Sequence, residues 1–600
     1  MSKVFSKILS PLSMLFWLIG KIKDKAIGYI SVSIIRVIVS VPASFIVIIF
    51  PKLILDELTG NQDIKNLISY VIALVFLSLF CTLVEGLIGK YLNNKNFVLS
   101  NYFDFLVFEK TYSVDFPYLE NAELLNKRQF ALENFSNVGG LGGTLQAFWT
   151  IISNFFTVFG LLYIVFSVDL FIPLVLFAIQ IIITLIENIS KKKTYTYIEK
   201  NTENNKWLSY LLYLIMDYKY AKDIKLFEMQ ELFNDKFIKR RDNSQKIFRK
   251  RASVDFGYST LKSVLSTAQI LFVYIVLISK FFQNDSGFTI GDFYMVVSAL
   301  LSFKNKFGSF LSGILTIKYN TKYIEAIKSF FEMPSIIKKG EKSIPTASEY
   351  CFTFENVTFT YPGSENVVLD NISCTINNSE KVAIVGLNGS GKSTFIKLLL
   401  RLYEPNSGRI LLNGVDIREY DYDEYHSVFS VIFQDFEILP FSLEENIMFD
   451  CVDNEGLNYA IERADIKDRI ERLSKGSKTY VRKLFDEDGV EFSGGELQKI
   501  AIARSIYNSG DVYIFDEPTS AFDPKAEEEF FLKFNEITNK KTTIFISHRL
   551  SSCCFCDKII VFDDKHIVQQ GSHEQLIKEE GRYVEMFNAQ AKHYISENAV

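Results

Sequence analysis

Residues 386–394 read Gly386-Leu387-Asn388-Gly389-Ser390-Gly391-Lys392-Ser393-Thr394, directly after the apolar run Val382–Val385. A short apolar strand, a glycine-rich turn and a following helix form an anion cradle. Glycines let main-chain N–H groups converge on phosphate oxygens, and the helix N-terminus adds a favourable dipole. Lys392 can then reach the β- and γ-phosphates, and the Ser393 hydroxyl can ligate Mg²⁺. A glycine-rich turn without function would leave Lys392 unexplained. The candidate phosphate-binding set is therefore Gly386, Asn388, Gly389, Ser390, Gly391, Lys392, Ser393 and Thr394. A second apolar run, Val512–Phe515, ends in Asp516 and Glu517. A carboxylate at the end of a strand beside such a cradle suits Mg²⁺, which points to Asp516. The next acid, Glu517, can polarise a water that attacks the γ-phosphate.

Further segments lie around these two in a fixed order: Tyr361, Phe433-Gln434-Asp435, Phe492-Ser493-Gly494-Gly495-Glu496, Ser520-Ala521-Phe522-Asp523 and Ser547-His548-Arg549. This order and spacing resemble the ATP-binding cassette (ABC) transporter superfamily over the whole C-terminal part. The resemblance implies that Tyr361 stacks on adenine. It also implies that Gln434 links Mg²⁺ and water to the membrane part, and that Asp523 and His548 belong to the nucleotide site. By the same resemblance, His548 is expected to contact the γ-phosphate. It implies further that two copies face head to tail, with ATP held between one phosphate loop and the other copy's Ser493, Gly494 and Gly495. Expected catalytic residues are Glu517, His548 and Gln434; expected Mg²⁺ ligands are Ser393, Gln434 and Asp516. The signature departs from the family by Phe492 for Leu and Glu496 for Gln. The stretch before it keeps only Glu487 and Gly489 of the usual exporter pattern. Because Glu517, His548 and both signature glycines are present, a homodimer is expected, with pairing to a second half-transporter left open.

The elements that carry these residues fall into two halves. The chain has 600 residues, 48% of them hydrophobic and 22% charged, with a formal net charge of -5, and its mean hydropathy is +0.14. That length calls for more than one domain, and the charge gives no support for a nucleic-acid partner. Crossing a bilayer takes roughly 20 apolar residues. Such runs occur at 27–53, 67–88, 145–168, 170–189, 261–279 and 293–317, and Lys304 and Lys306 make the last the weakest. The long segment 191–251 holds 16 Lys and Arg, whereas 56–62 and 282–292 hold none. Both termini are thus expected in the cytoplasm. The long segments keep helical spacing, as in Trp207-Leu208-x-Tyr210-Leu211-Leu212, so the spans are expected to extend beyond the bilayer.

The expected fold is an α-helical six-span transmembrane domain with long cytoplasmic helical extensions, followed by an α/β P-loop ABC ATPase domain. Its parts are an interfacial helix at 1–26, spans in 27–317, a linker at 318–348 containing Pro334 and Pro345, and the ATPase at 349–600. Residues 1–26 are basic around an apolar stretch, without a convincing cleavage site, and contain no cysteine, so neither a cleaved leader nor an N-terminal cysteine protease is expected. The seven cysteines form no disulfide framework. No histidine completes a ligand set around Cys553, Cys554 and Cys556.

Membrane half first and ATPase second resembles the exporter branch. Thr289-Ile290-Gly291-Asp292-Phe293 looks like an exporter segment, 221–227 resembles the second coupling helix, and 115–121 sits near the first. The expected activity is ATP-driven export of an amphipathic cargo, such as a peptide, lipid or drug, across a bacterial cytoplasmic membrane. Alternatives are an importer of exporter shape, or an ATPase that serves as a sensor or channel partner. Arg36, Glu85, Glu187 and Lys262 read as inner-leaflet charges, and Lys304 and Lys306 as cavity candidates that favour an anionic or peptide cargo.

Overall fold

The computed structural model describes residues 2–137, 139–166, 171–282, 289–345, 349–449, 453–518, 538, 541–547 and 549–597. The chain divides into two compact units, one of Met1–Val114 with Asn121–Met333 and one of Asp115–Glu120 with Pro334–Val600.

The first unit is helical: α1 (Ser2–Lys21), α2 (Lys23–Thr59), α3 (Ile64–Tyr112), α5 (Ala122–Asn137), α6 (Gly140–Phe166), α7 (Phe171–Met216), α8 (Tyr218–Leu226), α9 (Gln230–Phe282) and α10 (Ile290–Phe331). The short α4 (Phe116–Leu119) falls in the second unit. At about 1.5 Å per residue, α9 with its 53 residues is about 80 Å long, against roughly 30 Å of hydrocarbon. Among the described residues, five helices (α2, α3, α6, α7 and α9) are long and apolar enough to cross a membrane. α10 is not among them, because Lys304 and Lys306 interrupt its apolar run. The tip between the third and fourth apolar runs, including Val168, Asp169 and Leu170, lies outside the described residues.

Apolar side chains such as Ile72, Phe76 and Leu87 stand 61%, 66% and 72% exposed, a distribution suited to lipid and not to water. Inside the unit, α10 packs along α6 and α2, and α7 runs beside α9. Ile48, Leu161, Leu176, Leu277, Leu300 and Phe303 share one buried cluster. The Thr289–Phe293 segment has a plain local purpose. Thr289 and Asp292 close a reciprocal cap on α10. Asp292 also pairs with Lys52 at 2.6 Å, and Thr289 Oγ1 donates to Asp56 Oδ1 at 2.6 Å. α10 continues to Phe331, through residues read from sequence as linker. Buried Tyr319, Tyr323, Ile324, Ile327 and Phe330 keep a helical stripe there.

The second unit carries two sheets built from β1 (Phe352–Thr360), β2 (Val367–Ile376), β3 (Lys381–Gly386), β4 (Ser407–Leu412), β5 (Val415–Asp416), β6 (Phe429–Ile432), β7 (Val512–Asp516), β8 (Thr542–Ile546), β9 (Lys558–Asp563) and β10 (His566–Gly571). One is antiparallel, in the order β2-β1-β4-β5. The other has the order β10-β9-β3-β8-β7-β6 and is parallel except for β10. Its central strands are buried throughout, as Val512–Asp516 and Thr542–Ile546 illustrate, which matches their continuous apolar runs. Among the described residues the remaining α-helices are α11 (Lys392–Leu399), α12 (Tyr422–Ser427), α13 (Leu443–Met448), α14 (Asn454–Arg463), α15 (Lys467–Glu471), α16 (Gly494–Asn508), α17 (His573–Leu576) and α18 (Arg582–Glu597). A second core, with Leu443, Leu457, Ile461, Ile500 and Ile506, joins α13, α14 and α16.

Candidate nucleotide site

Strand register brings the two motifs to one edge. Ile546 of β8 pairs with Ile384 on one side and with Asp516 on the other. The phosphate loop and the two acids therefore leave the same carboxyl end of the parallel sheet, where such folds bind ligands. There a cavity of about 440 Å³ is lined by Asn388, Gly389, Gly391, Lys392, Ser393 and Thr394 from the loop and helix, and by Gln434, Asp516 and Glu517 opposite.

The loop fits an anion. A Cβ on Gly386 would lie 2.3 Å from the Phe562 carbonyl oxygen, so only glycine lets β3 turn there. The Ser390 hydroxyl is buried without a hydrogen-bond partner among the described residues, a polar atom in want of one. Lys392 donates to the carbonyls of Gly386 at 3.0 Å and Leu387 at 2.9 Å. Burial pushes its ammonium below the ordinary range, against the pull of Glu517 and Asp516. Across the cavity, burial first and the Glu517 charge second push the Asp516 carboxyl up to about 6, while Ser393 and Lys392 act the other way. A crowded acid beside a serine hydroxyl suits a divalent cation. Gln434 Nε2 donates to Glu517 Oε2 at 2.9 Å, so two residues 83 positions apart are brought together.

Other expected residues lie elsewhere. Tyr361 does not line this cavity; its hydroxyl is 2.9 Å from Thr394 Oγ1, and its ring packs edge-on against Tyr403 at 5.3 Å. Ser493 caps α16 with its side chain, and Glu496 closes the reciprocal bond. The signature residues Ser493, Gly494 and Gly495 do not line the cavity either. Asp523 and His548, with the whole of 520–523, lie outside the described residues.

Residues that the motifs did not flag support the site. Arg469 Nε donates to Glu496 Oε1 at 2.7 Å, which answers the extra charge that Glu496 brings to the signature. Arg401, fully buried just after α11, donates to the carbonyls of Tyr420, Arg418 and Lys338. Glu120 of the 115–120 segment accepts from Lys397 Nζ at 2.7 Å and from the Tyr403 hydroxyl. No local spacing announces any of these three, because each of the hydrogen bonds just named spans 17 or more residues.

The comparisons agree with this geometry. The ABC transporter family model matches residues 369–520. The subtilin transport ATP-binding protein SpaT of Bacillus subtilis is 30% identical over 539 residues, 88% of this chain and 86% of that protein. The mitochondrial iron-sulfur clusters transporter ATM1 of Candida glabrata is 31% identical over 413 residues, 65% of this chain and 54% of its own length. An ATP-dependent lipid A-core flippase of Haemophilus ducreyi is 33% identical over 309 residues, 51% of this chain and 52% of its own length. The chain thus spans about half the length of the latter two. A solved bacterial Atm1-family ABC exporter with ATP bound shares the fold with a TM-score of 0.77 at 21% identity, over 95% of this chain and 99% of that one. The chain is an integral membrane protein of the ABC transporter family, an exporter-type half-transporter whose C-terminal domain binds ATP and hydrolyses it to drive transport.

Proposed function

We propose that two copies of this chain pair to export an amphipathic cargo across a bacterial cytoplasmic membrane, with six spans per copy and both termini in the cytoplasm. The sixth span is α10, whose charges would then face the bundle interior and not lipid. Within this reading the interfacial helix takes 1–26, the spans 27–317 and the ATPase 349–600, while helix continues as far as Phe331 into the expected linker at 318–348.

The observation that carries the proposal is the single cavity uniting the phosphate loop with Gln434, Asp516 and Glu517. Gly386, Asn388, Gly389, Ser390, Gly391, Lys392, Ser393 and Thr394 hold the phosphates, and Tyr361 takes the adenine ring once its edge is free. Ser393, Asp516 and Gln434 would hold Mg²⁺, which when bound neutralises phosphate charge. Glu517, steadied by Gln434, accepts a proton from the attacking water. Ser493, Gly494 and Gly495 of one copy complete the other copy's site, since they stand apart from their own cavity; Asp523 and His548 finish it near the γ-phosphate. A dimer with two equal sites follows, and a second half-transporter as partner is the other outcome.

Inverted vesicles carrying the full-length protein test the direction. Accumulation of an amphipathic fluorescent probe with external ATP and Mg²⁺ supports export. ATP hydrolysis without accumulation of any probe would point to a sensor or channel partner.

A further inference from the structure

The first unit holds a polar cavity of about 450 Å³, within the size range of small-ligand sites. Three helices build it: α7 supplies Gln180 and Glu187, α9 supplies Lys262 and Ser266, and α10 supplies Lys304 and Ser312. Counting ~1.5 Å per residue, Lys304 lies about 21 Å along α10 from Ile290, and Glu187 about 24 Å along α7 from Phe171. Both positions would fall within a hydrocarbon layer of roughly 30 Å that each helix enters at its first turn, as the proposed six-span reading has it.

Charge in this cavity does not balance. Glu187 is already taken: Ser312 Oγ donates to it at 2.7 Å, and the ammonium groups of Lys191 and Lys262 stand 3.2 Å and 3.7 Å from its oxygens. Among the described residues, Lys304 donates only to the Ser266 carbonyl, at a long 3.5 Å. The lining thus carries two ammonium groups, Lys262 and Lys304, and one carboxylate, Glu187, which Lys191 also meets from outside the lining. A surplus cation at this depth is costly without a counter-charge.

The surroundings suit an amphiphile. Phe303, Phe307 and Phe310 stack along α10 with ring centroids 5.4 Å and 6.3 Å apart, on the same helix as Lys304 but outside the lining. Gly308 makes room in the wall, since a Cβ there would lie 2.9 Å from Gln180 Nε2.

We propose that this cavity binds an anionic group of the transported cargo, a carboxylate or phosphate carried on an apolar chain. Lys304 is the direct counter-ion. Glu187 sets how much positive charge Lys191 and Lys262 offer. The inference rests on the exporter reading and narrows its cargo class.

The test uses the full-length protein in phosphatidylcholine nanodiscs without nucleotide, with empty discs as the reference. Binding of dodecanoate, dodecyl phosphate and dodecyltrimethylammonium is measured by titration calorimetry. Both anions are expected to bind more tightly than the cation. Lys304→Met should weaken the anions about tenfold, Lys304→Arg should restore them, and Glu187→Gln should strengthen them. Equal binding of anion and cation overturns the proposal, as do Lys304→Met and Lys262→Met variants that bind anions like the parent protein. If Lys304→Met is not monodisperse, the parent's charge preference and Glu187→Gln decide the question. Discs containing phosphatidylglycerol separate the sources: retained probe binding supports a cargo site, and competition by the lipid assigns the cavity to a headgroup and overturns the cargo claim. Vesicle uptake bears on the exporter reading alone, so its failure would leave the binding result standing.

Discussion

Glu517→Gln removes a carboxylate's basicity while leaving its shape almost intact. Gln434 Nε2 donates to Glu517 Oε2 at 2.9 Å, and a glutamine keeps a carbonyl oxygen able to accept the same bond. The main chain is held as well: the Glu517 N–H donates to the Ile546 carbonyl at 3.0 Å. A positioned base contributes about 10²–10⁴ in rate, or roughly 2.7–5.4 kcal/mol of barrier. One negative charge also leaves a pocket where burial and Glu517 together keep Asp516 near 6. Like-charge repulsion then falls, so ATP affinity should hold or rise. Phosphate release in nanodiscs reads kcat, and binding of a fluorescent ATP analogue reads affinity. The expected result is a kcat loss of about a hundred- to ten-thousand-fold with undiminished binding. A kcat within tenfold of the parent refutes the assignment of Glu517 as base. A parallel loss of affinity would make it a nucleotide-positioning residue instead.

Gly386→Ala places a methyl 2.3 Å from the Phe562 carbonyl; the strain, about 1–3 kcal/mol, should show as lost ATP binding in the same analogue assay, and unchanged binding would contradict the close approach. Arg401→Met strips the guanidinium from three carbonyls, that of Tyr420 buried and those of Arg418 and Lys338 partly so, and should destabilise the ATPase unit by about 1–3 kcal/mol, read as a lower unfolding temperature of the purified protein; a shift within error would contradict the packing. Burial would raise Glu496, but bonds from Ser493 and the Arg469 charge outweigh it and hold the carboxyl below its ordinary 4.5. Its hold on the α16 cap is thus full at neutral pH and is lost as pH falls through that depressed value. Arg469→Met should move the loss to higher pH, at a neutral-pH cost of about 1 kcal/mol or less for so exposed a pair; hydrogen exchange of the first turn of α16 against pH checks this, and an unmoved midpoint would contradict it.

The nucleotide chemistry was legible in the sequence because it is local. A strand, a glycine turn and a lysine on the next helix occupy 382–394, and the acids 516 and 517 end a strand whose apolar run is equally plain. Hydropathy likewise marks five long helices, since crossing a bilayer demands a run of apolar residues whatever the neighbours are. It weakens at α10, where Lys304 and Lys306 dilute the signal and only packing against α6 and α2 explains the helix. Tertiary structure alone decided the pairings across distance: β8 setting the level of Ile384 and Asp516, Gln434 bonding Glu517, Arg469 neutralising Glu496, and Lys304 meeting Glu187's neighbours in one cavity. Such contacts depend on which faces of separate elements pack together, and no spacing along the chain encodes that.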